Sequence, residues 1–262
     1  MSDEPDEILT RDHGRVRVVT INRPHRSNAL TPHTVEKLRR AITTAGADPE
    51  VRAVVITGAG ERAFCSGADI KFFAEQDRAG GPHTVASTLG ERSIFEVMLE
   101  TYKPIVAALN GSAVAGGLEI ALASDIRIAA EHAKFGVPED KRGMGAHFAS
   151  IMLPRMMPPG MAFELLFRGE YISADEAARW GLVNRVLPAN EVFTAALDLA
   201  TAIAANAPIT LRRMKETALK SSGLPLAAAL RLNEGVSPYL SEDRVEGFRA
   251  FAEGRAPEWK GR

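Results

Sequence analysis

Two glutamates and two glycine-rich turns hold most of the chemistry that this sequence could perform. Glu119 lies in Leu118-Glu119-Ile120-Ala121-Leu122-Ala123, an apolar run where a carboxylate is costly unless it is paired or used. Its plainer explanation is a first-turn acid favoured by the helix dipole. Glu139 follows Phe135-Gly136-Val137-Pro138 and, taken alone, reads as a solvated loop acid. Together the two could bracket one substrate and divide general acid and general base work between them.

The turn before Glu119 is Asn110-Gly111-Ser112-Ala113-Val114-Ala115-Gly116-Gly117. A strand that ends in small residues and opens into a helix leaves backbone N–H groups free. Those donors suit a developing oxyanion, although a tight crossover needing glycine for packing explains the same residues. The earlier turn runs from Thr57 to Ile70. Its Gly58, Gly60 and Ala63, with Asp77 downstream, fit a relaxed dinucleotide fingerprint. Cys65-Ser66-Gly67 interrupts the helix that such a site requires.

Other candidates have plainer readings. Cys65 reads as a small buried hydrophobe, Asp69 as a turn or helix cap, Arg142 as an ion-pair partner, and His147 as a histidine at the surface or behind the site. The GxSxG, HExxH and P-loop patterns are absent from the sequence.

The elements that must position these groups alternate. Residues 8–10 and 16–21 read as a hairpin turning through Asp12-His13-Gly14. Thr31-Pro32 starts a helix with the stripe Val35, Leu38, Ala41, Ile42 and Ala45, ending at Gly46. Residues 53–57, 105–109 and 126–129 read as buried strands, with a short helix near 117–123. Residues 74–90 show no periodicity and read as a mobile loop. From Pro158 the pattern turns helical: Ser173 to Glu176 has capping-box spacing with Gly181 as the stop, Asn190 can cap a further helix, and Ser241 the last one. The fold class is α/β, with a helical C-terminal third.

Composition narrows the function. The 262 residues are 45% hydrophobic and 25% charged, and 32 Lys and Arg against 33 Asp and Glu leave a net charge of −1, which argues against nucleic acid as a partner. The single cysteine rules out an intrachain disulfide and a Cys-rich zinc site. The acidic N-terminus lacks the features of a signal peptide, and the apolar stretch 104–123 is broken by Asn110, Ser112, Glu119 and three glycines. A soluble cytoplasmic protein without a membrane span is expected.

Four segments in order and register carry a resemblance: Asn22-Arg23-Pro24 with Asn28-Ala29-Leu30, Phe64-Cys65-Ser66-Gly67-Ala68-Asp69-Ile70, Gly116-Gly117-Leu118-Glu119, and Phe135-Gly136-Val137-Pro138-Glu139. The chain resembles the enoyl-CoA hydratase/isomerase (crotonase) family, and residues 173–186 and 241–262 are similar to its C-terminal third. The resemblance implies a spiral of ββα units over residues 1–200, and a helical region over 201–262 that assembles homotrimers, commonly paired into hexamers. It implies an acyl-CoA substrate and no metal or separate cofactor, coenzyme A being part of the substrate. The N–H groups of Ser66 and Gly116 would form the oxyanion hole, and Ser66, Gly67, Ala68, Asp69 and Ile70 would line the CoA site. Glu119 and Glu139 would activate water across an enoyl double bond. CoA phosphates need basic groups, which Arg23, Arg26 and Lys71 could supply, and Lys260 could reach a neighbouring subunit's ligand.

One departure stands out. Residues 143–155 lack the family's Pro-Gly-x-Gly-Gly-Thr turn and are one residue shorter, with bulkier Met144, His147 and Phe148 placed to narrow or redirect the acyl pocket. Reversible hydration of a 2-enoyl-CoA is the expected activity. Double-bond isomerisation, hydrolysis or carbon–carbon cleavage of a CoA ester, and non-catalytic acyl-CoA binding are the alternatives. A nicotinamide dehydrogenase rests on the Gly58–Ala63 turn alone.

Overall fold

The computed structural model describes residues 6–80 and 92–262. Strands β1 (Ile8–His13) and β2 (Val16–Ile21) pair antiparallel. The turn is Gly14-Arg15, one step later than expected, with Gly14 at φ +58°. Asp12 stays in the ladder because it faces Arg17 across the strands, accepting its guanidinium at 2.7 and 2.8 Å. Helix α1 (Pro32–Ala47) begins where the sequence says it should. Thr31 and Thr34 form a reciprocal capping box, and Leu38, Ile42 and Ala45 are buried.

Three times in succession the chain then lays a strand in one sheet, a strand in a second sheet, and a helix. The first turn is β3 (Ala53–Gly58), β4 (Ala63–Cys65) and α2 (Ile70–Arg78), followed by α3 (Ile94–Glu100). The second is β5 (Ile105–Leu109), β6 (Ser112–Val114) and α4 (Gly116–Ala123). The third is β7 (Ile126–Ala130), β8 (Lys134–Gly136) and, after a 3-10 turn at Asp140–Arg142, α5 (His147–Met156). The remainder is α6 (Pro159–Arg168), β9 (Ile172–Ser173), α7 (Ala174–Arg179), β10 (Arg185–Leu187), α8 (Ala189–Ala204), α9 (Pro208–Ser221), α10 (Leu226–Ala229) and α11 (Glu242–Glu253).

The large sheet runs β1-β2-β3-β5-β7-β10 and is parallel from β2 onward; the small sheet runs β4-β6-β8-β9. Every residue of β3 and β5 is buried, which is why both read as unbroken apolar runs. This is the expected α/β spiral of ββα units.

Four expectations need correction. Residues 74–78 are helical: α2 has its cap at Asp69 and its turn after Arg78, while residues 81–90 of the expected loop lie outside the described residues. Asn190 does not cap α8, which starts directly after Pro188 and takes Asn190 into its first turn. The division at residue 200 falls inside α8, whose buried stripe Val192, Ala196, Ala200 and Ala204 packs on the large sheet. Arg142 makes no ion-pair contact among the described residues; its guanidinium donates to the Pro138 carbonyl at 3.0 Å, and its charge reaches Glu139 only at longer range. The caps at Ser173 and Ser241 are present as expected. No single helix among the described residues is long and apolar enough to cross a membrane.

Candidate active site

The site is built where the small sheet meets the helices that follow it. After β4 the chain runs beside residues 27–30 as an added strand. The Ser66 N–H donates to the Ser27 carbonyl at 3.2 Å, the Gly67 carbonyl accepts the Leu30 N–H at 2.7 Å, and the Asp69 N–H donates to the Leu30 carbonyl at 2.9 Å. This is a parallel bridge centred on Leu30 and Ala68. In such a bridge the central residue's own N–H points away from its neighbour, and the Ala68 N–H has no acceptor among the described residues. Ser66, expected to offer its amide to an oxyanion, therefore has that amide occupied. Ala68, expected only to line the site, has the free one.

A second free amide comes from the next turn of the spiral. Gly116 is the first residue of α4, so its N–H has no partner within the helix. Gly67 sits at φ +81°, and a Cβ there would fall 3.0 Å from the Gly116 nitrogen and 2.6 Å from the Ala115 Cβ. The loop carrying Ala68 and the start of α4 are thus in contact through two glycines. Ala115, at φ +54° and ψ −130°, holds a backbone conformation that non-glycine residues rarely adopt, tied by its N–H to the Gly136 carbonyl at 2.9 Å.

Glu119 and Glu139 are both 8% exposed, so neither is a solvated loop acid. The Glu119 carboxylate accepts the N–H of Ala149 at 2.9 Å, and the Phe148 N–H beside it also favours the charged carboxylate. Those two amides open α5, whose preceding residue, Ala146, has no side chain able to cap it. Burial raises the Glu119 carboxyl, while the two amides and His147 pull the other way. Glu139 has one carboxylate oxygen buried without a hydrogen-bond partner among the described residues. Burial, joined by the nearby Glu119 charge, pushes its carboxyl up to about 7. The result is one carboxylate fixed by amide donors and one poised to carry a proton at neutral pH.

The remaining candidates sort themselves by their partners. Asp69 caps α2 through the Phe72 N–H at 3.3 Å and accepts Arg23 at 3.0 Å. Burial alone would raise it, but the amide and the guanidinium hold it below the usual carboxylate range. Arg23 also pairs with Glu7 at 3.0 Å, so it is engaged rather than free to meet a phosphate. Arg26, Ile70 and Lys71 are exposed at the mouth of this region, and His147 is exposed at the start of α5. Lys260 is exposed in the C-terminal tail. Cys65 is buried, which pushes its thiol up to about 12 and leaves no nucleophile at neutral pH. The Gly58 turn cannot take a pyrophosphate. A Cβ there would already meet the Phe64 carbonyl oxygen at 2.4 Å and the Asn28 amide at 2.6 Å, and a strand, not a helix, follows. No group of three or more potential metal ligands is found among the described residues.

Arg127 is the residue that sequence reasoning passed over. It is 5% exposed, and its guanidinium donates to the carbonyls of Leu182 (2.6 Å), Ser124 (2.6 Å) and Ala121 (3.3 Å). It thereby closes the C-terminal end of α4, the helix that carries Gly116 and Glu119. An arginine set between the apolar strand residues Ile126 and Ile128 was the available signal.

Comparison with known proteins agrees with this geometry. The enoyl-CoA hydratase/isomerase family profile matches residues 11–262. A carnitinyl-CoA dehydratase from Salmonella typhi is 37% identical over 261 residues, covering 97% of this chain and 98% of that protein. The crystal structure of an enoyl-CoA hydratase from Mycobacterium tuberculosis superposes with a TM-score of 0.87 at 34% identity, over 98% of this chain and 99% of that one. An enoyl-CoA hydratase/carnithine racemase from Magnetospirillum magneticum does so with a TM-score of 0.85 at 33% identity, over 99% and 97%. With this fold, two adjacent main-chain donors and a buried glutamate pair, the chain belongs to the enoyl-CoA hydratase/isomerase (crotonase) family and is an enzyme of the lyase type.

Proposed function

We propose that the protein adds water reversibly across the 2,3 double bond of a 2-enoyl-CoA thioester. The observation that carries this reading is the division of labour between two buried carboxylates, Glu119 held by amide donors and Glu139 with one oxygen unpartnered among the described residues and its carboxyl shifted to about 7. The thioester oxygen accepts the N–H groups of Ala68 and Gly116, each donor contributing on the order of 3 kcal/mol as negative charge develops. Ionised Glu119 takes a proton from water as its oxygen bonds to the β carbon. Protonated Glu139 delivers its proton to the α carbon as the enolate collapses. Atoms and protons balance, and no metal or redox group enters; coenzyme A is a part of the substrate.

Gly67, Asp69 and Ile70 shape the CoA entrance, with exposed Arg26 and Lys71 available to its phosphates. The residues beyond the end of α8, from Ala205 onward, serve self-association as a trimer or hexamer: Leu226, Leu230, Leu240, Phe248 and Phe251 are each at least 68% exposed, an apolar surface suited to a further copy of the chain. Lys260 would there meet a neighbour's ligand. The single buried cysteine suits a reducing cytoplasm.

Incubating the purified protein with crotonyl-CoA, with Glu139→Gln as control, tests the activity. Loss of the enoyl-thioester absorbance together with a water-added product supports hydration; a product of unchanged mass supports double-bond isomerisation instead. The likeness to a carnitinyl-CoA dehydratase favours a second reading, in which the same two carboxylates chiefly remove water from a hydroxyacyl-CoA. Running the assay from the hydroxyacyl side separates the two. Acyl-CoA binding with unchanged products would support a non-catalytic role.

A further inference from the structure

We propose that the stacked rings of Phe95 and Phe148 form the wall that sets the size of the acyl group, and that Phe148 links that size to the placement of Glu119. The proposal rests on the acyl-CoA reading above. Phe95 stands in the first turn of α3 and Phe148 in the first turn of α5, and both helices pack on α4. The rings lie 4.6 Å apart between centroids and within 17° of parallel, so they bridge the two helices beside the carboxylate end of α4.

Phe148 performs two tasks with two parts of one residue. Its main chain leads directly into Ala149, whose N–H donates to the Glu119 carboxylate at 2.9 Å, while its ring makes the stack. In the proposed arrangement an acyl chain whose reacting carbons lie at Glu119 extends along the surface that starts at Phe148. Neither ring is a plain core side chain. Both are packed against the core on one side and keep part of their surface open. Met144 and Met152 are the neighbouring apolar side chains on the same segment, and Met144 is 43% exposed. The surface is therefore apolar and, where the rings meet, closed.

That arrangement fits short or compact acyl groups and resists long straight ones. A chain long enough to press on the Phe148 ring would also disturb the amide that holds Glu119. Size should then appear in kcat as well as in binding.

Calorimetric titration with the unreactive saturated thioesters butyryl-CoA and octanoyl-CoA, on wild type, Phe148→Ala, Phe95→Ala and the double variant, tests the wall without depending on turnover. Wild type is expected to favour butyryl-CoA, and each single variant to move the ratio toward octanoyl-CoA by about tenfold or more. The double variant should add little, because both rings make one wall. Phe148→Leu keeps the packing and should move the ratio part of the way, covering the case of an unstable alanine variant. An unchanged ratio in folded Phe95→Ala and Phe148→Leu overturns the wall while leaving the acyl-CoA reading intact. Failure of wild type to bind either thioester overturns both. Steady-state kinetics with the matching enoyl-CoAs should show a kcat decrease with chain length in wild type that is lessened in Phe95→Ala.

Discussion

The Glu119 carboxylate and the Ala149 N–H, joined at 2.9 Å, tie the proposed chemistry to the architecture: the side chain that would handle water also serves as the N-terminal cap of α5. Glutamine can still accept from the same amides, but it cannot take a proton. Glu119→Gln is therefore expected to lose about 10²- to 10⁴-fold in hydration rate with little change in melting temperature. Glu119→Ala should lose the rate and about 1 kcal/mol of stability as well. Crotonyl-CoA kinetics beside thermal melts of both variants check this, and equal melting temperatures would remove the capping role. A double-bond shift can proceed with one carboxylate, so any isomerase activity should survive better in Glu119→Gln than hydration does.

In the proposed reaction, Glu139 sets the pH dependence. With its carboxyl near 7, the protonated form that donates to carbon is lost as pH rises through that value. Hydration and dehydration both use the pair carrying one proton, on Glu139 in one direction and on Glu119 in the other, so both rates should fall as the pair loses that proton. Single-turnover rates in both directions between pH 5.5 and about 8.5 would reveal the shared alkaline limb. A flat profile in either direction would remove Glu139 from its role.

The same shift has a thermodynamic side. In the unfolded chain this carboxyl releases its proton near 4.5, and in the folded chain near 7, so folding is favoured by protonation. Stability is lost as pH rises from about 4.5 to about 7 and is level beyond. Glu139→Gln should show a melting-temperature advantage over wild type that is small at the acid end and grows through this window, reaching on the order of 1–3 kcal/mol. Parallel melts across pH decide it.

Gly67 is where the two free amides come together. Any Cβ there meets the Ala115 Cβ at 2.6 Å and is strained by φ +81°. Gly67→Ala is expected to separate the loop of Ala68 from the start of α4, lowering kcat on crotonyl-CoA by about 10²-fold or more. Circular dichroism should show an intact fold. Wild-type turnover in that variant would show that the contact does not set the donors.

Arg127 donates into three carbonyls with no carboxylate partner among its hydrogen bonds. Arg127→Met keeps the bulk and leaves those carbonyls unmet in the interior, at a cost of about 2–4 kcal/mol. Urea denaturation checks the loss. Activity per folded molecule should fall too, because the end of α4 opposite Gly116 is released.

Much of this was legible from local patterns. Thr31-Pro32, Ser173 to Glu176 and Ser241 announce helix starts because capping is settled within four residues, and the structure has all three. The Gly116–Glu119 turn was legible for the same reason. Choosing between Ser66 and Ala68 was not, since which amide is free depends on residues 27–30, far away in sequence and adjacent in space. Arg23 looked available because its type and position suit a phosphate; Glu7 and Asp69, which engage it, arrive only with folding. Residues 74–78 read as loop because the helix they finish has no fully buried residue to mark its face. Arg127 was missed because its acceptors are main-chain carbonyls, which no side-chain pattern reveals.

Strands β4 and β6, from which the two free amides lead, are direct neighbours in the small sheet, pairing Ala63 with Ser112 and Cys65 with Ala113. The two loops that carry the donors thus leave from neighbouring strands one parallel repeat apart, about 4.8 Å. A placement set by main-chain pairing survives change of the side chains around it, so long as Gly67 stays a glycine. On the proposed reading, new acyl specificities can be written into α3 and α5 while the grip on the thioester oxygen stays as it was.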